Sequence, residues 1–397
     1  MTDILLMDLG AVPDCHCDAG FEGMYKAMAE SPSGDERSIW APHENPFLTA
    51  HVEDVTRRLQ AVLERIQDVI ARMLLGEPIG RLAKADVPWM RWEPEQFEAV
   101  RLMLESKLPE LYTLDDWMLV ADYLIQRYLP DGVIQNEAEY LTVRASIMGK
   151  IQANVGRQLP APDVMQAWAT LTPTLFAAVP PRLLSPVELQ VMQVAKTRAA
   201  LHIGKVTETV RGRMKEIIIQ HVQAQILGQK EGQATALKTA LFDAFGALNR
   251  DFRRIAVTEA GEACNQGFIA ACAPGTRVQR VEAYRGACKF CQSINGKSYL
   301  VCDPADPARD GATMIWLGKS NAGRSASPNR KVGGMLMPRG EHECWWCAAG
   351  VQHPHCRGCW ILLPGARPGT SPAFAAYLAG LLTVHRTTLA ANDPRPG

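Results

Sequence analysis

The sequence lacks long apolar runs: no stretch approaches the roughly 18–20 unbroken apolar residues of a membrane-spanning helix. Its first residues, Met1 to Asp8, carry acid where a secretory signal needs basic residues, and their apolar run is short. We therefore expect no membrane partner and no export. With an odd count of 11 cysteines, metal-bound thiolates are favoured over disulfides. The expectation is a soluble protein made in a reducing compartment.

Net charge is also missing, because 42 basic and 42 acidic side chains cancel. Residues 1–150 hold 14 Lys and Arg against 26 Asp and Glu, a charge of 14 − 26 = −12. The rest holds 42 − 14 = 28 against 42 − 26 = 16, a charge of +12. A basic half favours contact with nucleic acid or an acidic protein surface, although two solvated surfaces of opposite sign would give the same count.

Catalytic patterns are scarce as well. No H-N-H or D-x-E motif and no paired-carboxylate arrangement occurs, and the helical patterns up to residue 250 contain no catalytic constellation. Glu259 is the carboxylate that stands out, but it lacks a visible nucleophile or histidine partner. We expect it to interact with a helix dipole near a helix start, or to bridge to Arg254 or Arg280. The sequence therefore predicts no enzyme.

Helical patterning dominates what is present. Apolar residues recur at three-to-four spacing from Val52 to Leu75, which indicates one buried helix face. Pro94 fits a first-turn position, and Thr113 with the acids after it resembles an N-cap that leads into a helix over 117–128. Further helices are predicted over 136–155, 161–177, 187–227, 234–248, 251–271 and 373–384.

The residue pattern changes from helical to strand-like after Pro274. Residues 278–284 alternate like a strand, and 297–301 form a second short strand candidate. Residues 308–340 form a long loop, which in a compact domain is usually functional or disordered. This loop carries Asp310 and, against it, the basic residues Arg309, Lys319, Arg324, Arg330, Lys331 and Arg339.

Cysteine is concentrated in the same region. Nine of the eleven lie between Cys264 and Cys359, and six form C-x-x-C pairs: Cys288/Cys291, Cys344/Cys347 and Cys356/Cys359. Two ligands three positions apart can hold one side of a tetrahedral ion, and two such turns complete the shell. Cys288, Cys291, His353 and Cys356 would form a closed structural zinc shell with no position left for water.

Other interpretations stay open for these residues: disulfides, a redox C-x-x-C pair, or free buried cysteines. A second ion could bind Cys302, Cys344, Cys347 and Cys359, with His342 as a further candidate, but spacing does not fix which ligands share an ion. Cys15, His16 and Cys17 form a half-site without a visible partner, a pattern that is more often incidental.

We therefore predict an α+β fold, with predominantly α-helical N-terminal and middle regions and a small zinc-stabilised C-terminal domain containing β-structure. The predicted segments are an irregular N-terminal arm over 1–48, an acidic helical domain over 49–180, a long-helix region over 181–274, a Cys/His-rich zinc-binding domain over 275–364, and a C-terminal tail over 365–397.

Six motifs follow in order between Ile255 and Cys359. They are Ile255-Ala256-Val257-Thr258-Glu259, Asn265, Arg280-Val281-Glu282, Cys288-Lys289-Phe290-Cys291, Gly296-Lys297-Ser298-Tyr299 and His353-Pro354-His355-Cys356-Arg357-Gly358-Cys359. Together they resemble the C-terminal pattern of the Mu F-like minor head proteins of tailed bacteriophages, also called phage head morphogenesis proteins. Two departures are the closing C-R-G-C, where the family has C-R-C, and the added Cys344/Cys347 pair. The first 180 residues show no such resemblance.

The resemblance implies a structural protein of low copy number in the capsid interior, associated with the portal vertex and needed for head assembly or for handling packaged DNA. It implies the portal protein or the major capsid protein as partners, and a location in the host cytoplasm during assembly and then inside the virion head. The H-P-x-C match selects His353 over His355 as the zinc ligand. The basic half could contact DNA without sequence specificity.

The rival interpretation is a zinc-dependent nuclease or toxin-type enzyme acting on DNA, in which His355 or His342 beside the metal activates water. A third interpretation is a zinc-ribbon-like adaptor for nucleic acid without a phage context.

Overall fold

The computed structural model describes residues 46–74, 93–107, 111–158, 161–172, 179–230, 234–282, 284, 286–365 and 371–391. Its helices are α1 (Pro46–Leu74), α2 (Pro94–Ser106), α3 (Leu114–Tyr128), α4 (Asp131–Gln158), α5 (Ala161–Leu171), α6 (Pro186–Ile226), α7 (Ala234–Ala270), α8 (Lys289–Ile294) and α9 (Pro372–Ala391). Its strands are β1 (Arg277–Val281), β2 (Ser298–Val301), β3 (Met314–Ile315), β4 (Asn329–Val332), β5 (Met335–Pro338) and β6 (Cys359–Leu362). The chain is thus mostly helical with a small mixed sheet in its C-terminal region, as predicted.

Local sequence signals account for several helix starts. Thr113 caps α3: its hydroxyl oxygen accepts from the Asp116 backbone N–H at 3.2 Å, and the Asp116 carboxylate accepts from the Thr113 N–H at 2.8 Å. This reciprocal pair satisfies two N–H groups that a helix start leaves without partners. Pro94 occupies the first turn of α2, as predicted.

The prediction of two helices over 234–248 and 251–271 is wrong, because α7 is continuous. The intervening Asn249, Arg250 and Asp251 include neither glycine nor proline, so nothing in the backbone forces a break. Buried Leu248 and Phe252 continue the apolar face across the expected boundary. Tertiary packing therefore overrides the modest helix propensity of Asn249 and Asp251.

The main sheet has the strand order β3-β2-β1-β6. β1 pairs antiparallel with both β2 and β6, whereas β2 pairs parallel with β3. Side chains from the sheet, α8 and the end of α7 share one hydrophobic core, which includes Phe268, Val278, Val301, Ile315 and Trp360. The predicted long loop is therefore partly regular: it supplies β3 and a separate hairpin, β4–β5.

The helices α4 and α7 cross at two glycines. A Cβ at Gly149 would lie 2.7 Å from the carbonyl carbon of Cys264, and a Cβ at Gly267 would lie 2.7 Å from that of Ser146. Only glycine permits so close a backbone approach. The crossing anchors the part of α7 that carries the C-terminal motifs.

The chain divides into two compact units. One contains Leu141–Ala195 and Val257–Gly397 with the start of α1, and the other contains Val52–Tyr140 and Lys196–Ala256. These units are discontinuous in sequence, unlike the contiguous segments expected from the pattern. Most of the predicted N-terminal arm, with Cys15, His16 and Cys17, lies outside the described residues, as do residues 173–177 of a predicted helix. None of the helices in the described ranges is long and apolar enough to cross a membrane.

Candidate metal centre

The first half of the candidate centre is the turn that begins α8. Cys288 is the N-cap of this helix, and its thiol accepts from the Cys291 backbone N–H at 3.5 Å. The C-x-x-C spacing thus places both sulfur atoms on one side of a turn that the first thiol itself caps. Cys288 is partly exposed, whereas Cys291 is fully buried.

The second half is the turn after Gln352. The Cys356 backbone N–H donates to the His353 carbonyl at 3.1 Å. His355 has a φ of +64°, an unusual conformation for a residue other than glycine. Cys356 is fully buried, and it packs with Cys291 and Val351 in a small cluster separate from the main core.

These turns bring the predicted ligands together. The Nε2 atom of His353 lies 3.3 Å from the Cys288 sulfur and 3.2 Å from the Cys291 sulfur. With zinc–sulfur bonds of about 2.3 Å and zinc–nitrogen bonds of about 2.0 Å, tetrahedral donors are about 3.5 Å apart. Cys288, Cys291 and His353 form one candidate metal-binding group, and Cys291 also belongs to a second group with Cys356 and Glu282. The four predicted residues can therefore hold a metal ion, compatible with zinc.

The orientation of His353 suits a metal ligand. Its Nδ1 atom lies 2.7 Å from the Pro354 carbonyl oxygen, which can only accept a hydrogen bond. Nδ1 must therefore carry the proton, which leaves the Nε2 lone pair directed toward the two sulfur atoms. The imidazole also stacks on Trp345, at 5.7 Å between ring centroids and an angle of 12°.

Electrostatics favour the thiolate at Cys288 and Cys356, whereas hydrogen bonds with these two thiols raise the pKa of Cys291. A hydrogen bond from Cys291, aided by His353, lowers the pKa of Cys288 to about 4. Burial opposes the charged form of His353, but its hydrogen bond with Cys288 prevails and raises the pKa of His353 to about 9. Despite burial, Cys291 and Arg280 hold the pKa of Cys356 well below its ordinary value. A divalent ion would replace the protons that these donors share.

An ion pair between Arg280 on β1 and Glu282 just after it lies beside Cys356. The Arg280 Nε atom donates to Glu282 Oε1 at 2.7 Å, and an Arg280 Nη atom lies 3.5 Å from the Cys356 sulfur. Both charged side chains are fully buried, and the guanidinium packs 5.1 Å from the Trp360 ring centroid. Sequence reasoning placed these residues in a strand and in a motif of the family resemblance, and named Arg280 as a possible partner of Glu259, but it did not predict this ion pair. The signal it missed is two opposite charges two positions apart, which places both on one face of a buried strand.

The helix α7 holds the second turn through polar side chains. The Asn265 amide donates to the Gly358 carbonyl at 2.8 Å, and the Thr258 hydroxyl accepts from the His355 N–H at 3.0 Å. The Glu262 carboxylate accepts from the Val351 N–H at 2.6 Å. Because the segment before β6 has little secondary structure, these bonds replace partners that a helix or sheet would supply. Residues 258–265 thus form a polar platform for the metal-binding turn.

The expected interaction of Glu259 with a helix dipole near a helix start is wrong. Glu259 is buried within α7, far from the helix start at Ala234, so an interaction with the N-terminal dipole is excluded.

The other cysteines are arranged differently. Cys302, Cys344, Cys347 and Cys359 all fall in the described part of the chain, but no candidate metal-binding group there contains any of them, or His342. Cys347 lies in the main hydrophobic core, and Cys359 begins β6. All nine cysteines in the described ranges are free thiols.

Several cationic side chains of the long loop over 308–340 bind groups within the protein. The Lys319 ammonium is buried; it donates to the Gly311 and Met314 carbonyls at 2.7 and 2.8 Å, and lies 4.7 Å from the ring centroids of Trp316 and Trp346. Three arginines of the loop are also engaged: Arg309 bonds the Pro304 carbonyl, Arg324 the Cys344 carbonyl, and Arg330 the Glu343 carboxylate.

Comparison with known proteins adds no assignment: no family model, no curated protein and no solved structure matches this chain.

Proposed function

We propose that this chain is a minor head protein of a tailed bacteriophage, a structural component of the capsid interior associated with the portal vertex. The observation that carries the proposal is that the motifs behind the resemblance converge in space. Thr258 and Asn265 on α7 bond the His353–Cys359 turn, and the Gly296 N–H donates to the Arg280 carbonyl at 2.8 Å. Motifs separated by tens of residues thus serve one module.

Zinc in this module is structural. Three cysteines and one histidine close a four-coordinate shell, so no position is left for a catalytic water. Structural zinc is worth about 10–16 kcal/mol in small peptides, enough to fix loops that have few other contacts. The ion would join the α8 turn to the turn before β6, which are more than sixty residues apart, since 353 − 291 = 62.

An exposed hairpin offers a surface for the proposed protein partners. The hairpin β4–β5 is exposed along its whole length, with Met335 at 68% and Leu336 at 65%. Such a hairpin could meet the portal or the major capsid protein. DNA contact would be weak and sequence-blind, because the internal bonds of the long loop leave few of its cations for phosphate.

The test is to express the gene together with its neighbouring head genes in cells that then assemble phage heads. The purified heads are analysed for the presence of the chain and for packaged DNA. We expect the chain inside the heads by mass spectrometry. Its deletion, or Cys356→Ser, should reduce the yield of DNA-filled heads. Heads that form and fill normally without the chain would overturn the proposal. Plasmid cleavage by the purified protein with Mg²⁺ or Mn²⁺, abolished by His355→Ala, would establish the nuclease instead.

A further inference from the structure

The metal centre contains more donors than a tetrahedral ion can use. Besides the three cysteines and His353, the Glu282 carboxylate lies within 4.8 Å of the sulfur atoms of Cys291 and Cys356. Its two oxygens are equidistant from the Cys356 sulfur, at 3.6 Å each. Five donors thus cluster around Cys291, one more than a four-coordinate ion uses.

The donors fall into two overlapping groups that differ in burial. In the group of Cys288, Cys291 and His353, the first and last are partly exposed. In the group of Glu282, Cys291 and Cys356, every member is buried. Cys291 belongs to both groups, so an ion bound to it has an outer pair of ligands and an inner pair within reach.

The two oxygens of Glu282 have different partners. Both lie 3.6 Å from the Cys356 sulfur, but Oε1 also accepts from the Arg280 guanidinium at 2.7 Å. A metal-bound cysteine is a thiolate and no longer has a proton to donate. Two anions then lie side by side in a buried site with one positive charge from Arg280, whose guanidinium contacts both. A divalent ion bound to Cys356 would supply the further positive charge that they need.

Local packing holds the carboxylate at this place. A Cβ at Gly358 would lie 2.2 Å from the Glu282 carboxyl carbon, so a side chain there would displace the acid. The Glu282 backbone N–H donates to the Asn295 side-chain oxygen at 2.8 Å. The glycine is the residue by which C-R-G-C differs from C-R-C, so the departure has a structural use.

We propose that Glu282 is a fifth metal donor, which takes a ligand position when His353 leaves, so that the shell alternates between Cys₃His and Cys₃Glu. The inference rests on the zinc centre of the proposed function. Zinc binds carboxylate oxygen at about 2.0–2.2 Å, close to the distance of about 2.0–2.1 Å at which it binds imidazole nitrogen. Arg280 contributes one positive charge against the net negative charge of either shell.

The alternative is that Glu282 only neutralises and orients Arg280, without touching metal. The two roles differ when His353 is absent. A carboxylate donor would then complete the shell, whereas a mere ion-pair partner would leave a three-ligand site.

The test uses the full chain, loaded with Zn²⁺ or with Co²⁺ as a spectroscopic probe. The variants are His353→Ala, Glu282→Gln, the double variant, and His353→Ala with Glu282→Asp, which keeps an oxygen donor. The matched controls are His342→Ala and Glu343→Gln, which change the same residue types in the same module outside the centre. Far-UV circular dichroism checks folding, because it reports mainly the helices.

We expect His353→Ala to retain about one metal per chain with an affinity loss within about 100-fold. Its Co²⁺ absorption should keep the sulfur-to-cobalt charge-transfer intensity while the d–d bands shift. Adding Glu282→Gln should weaken binding by at least a further ~100-fold, and Glu282→Asp should restore part of it.

Three outcomes distinguish the zinc centre from the proposal that Glu282 is a fifth donor. If wild-type protein binds no metal, the zinc centre itself is refuted. If wild type binds metal but His353→Ala alone loses it as completely as the double variant, the fifth-donor proposal fails and the zinc centre stands. If the double variant binds as well as His353→Ala, Glu282 is no ligand.

Discussion

Replacing Gly267 with alanine should separate α4 from α7. The new Cβ would lie 2.7 Å from the Ser146 carbonyl carbon and closer still to its oxygen. Comfortable carbon–carbon contacts are about 3.5–4.0 Å, so the two helix backbones must move apart by about 1 Å. No rotamer change relieves the clash, because both partners are backbone atoms.

The cost follows from what this movement disrupts. Overpacking a buried site costs about 1–3 kcal/mol when side chains can adjust, so a backbone clash belongs at the upper end or above. Against this, Gly→Ala inside a helix gains about 1 kcal/mol of propensity. A net loss of about 2 kcal/mol or more corresponds to a fall of about 4–8 °C in the melting temperature of a 150–250-residue unit.

A matched control isolates the clash. Gly380 lies in α9, in the same compact unit, and a Cβ there would meet nothing within 4 Å. Gly380→Ala should therefore raise the melting temperature by a few degrees. Thermal unfolding followed by circular dichroism measures both variants. If Gly267→Ala melts at or above the wild-type temperature, the close crossing is refuted.

Three further predictions concern the C-terminal module. Asn265→Ala leaves the Gly358 carbonyl without its donor and should weaken Zn²⁺ binding by ~10–100-fold in chelator competition, whereas Gln279→Ala, which removes an exposed bond to Gly296, should change it little. Burial lowers the pKa of Lys319 to about 8 from 10.5, so the unfolded chain binds more protons between these values and stability should rise with pH there. Lys319→Met should abolish that rise in urea titrations at pH 8 and 10.5, and a slope equal to wild type would contradict it. Cys356→Ser should weaken Zn²⁺ binding by at least ~100-fold in chelator competition while the helical circular dichroism survives; an affinity equal to that of the wild type would exclude Cys356 as a ligand.

The sequence predicted the helices well where local signals act alone. Thr113 and Pro94 identify helix starts because capping and proline geometry are local effects. The continuity of α7 was not predicted, because the sequence does not show that Leu248 and Phe252 lie on one buried face across Asn249–Asp251. The sheet was half predicted: β1 and β2 alternate in sequence, but β3 has two residues and carries no periodicity.

The candidate ligands could be predicted because C-x-x-C and H-x-x-C are short-range patterns that fix donor geometry. The residues that support the ligand-bearing turns could not be predicted from the sequence. Glu262 reaches Val351 across 89 positions, and no spacing rule links a helical carboxylate to a loop amide so far away. The sequence likewise assigned no role at the centre to Glu282, because burial of its charge pair with Arg280 depends on the tertiary fold.

The separation of the hydrophobic core from the metal-binding turns predicts that metal removal loosens only part of the module. A module fixed by zinc alone would lose all its structure on chelation. Here the hydrophobic core with Val278, Val301 and Trp360 is separate from the small cluster around Cys291 and Cys356. The core depends on apolar burial, which chelation leaves intact. The turns depend on the ion and on the α7 platform. Chelation should therefore speed hydrogen exchange first at residues 286–296 and 350–358, while the β1–β2 amides stay protected. Simultaneous loss of protection in both regions would mean that the ion organises the whole module.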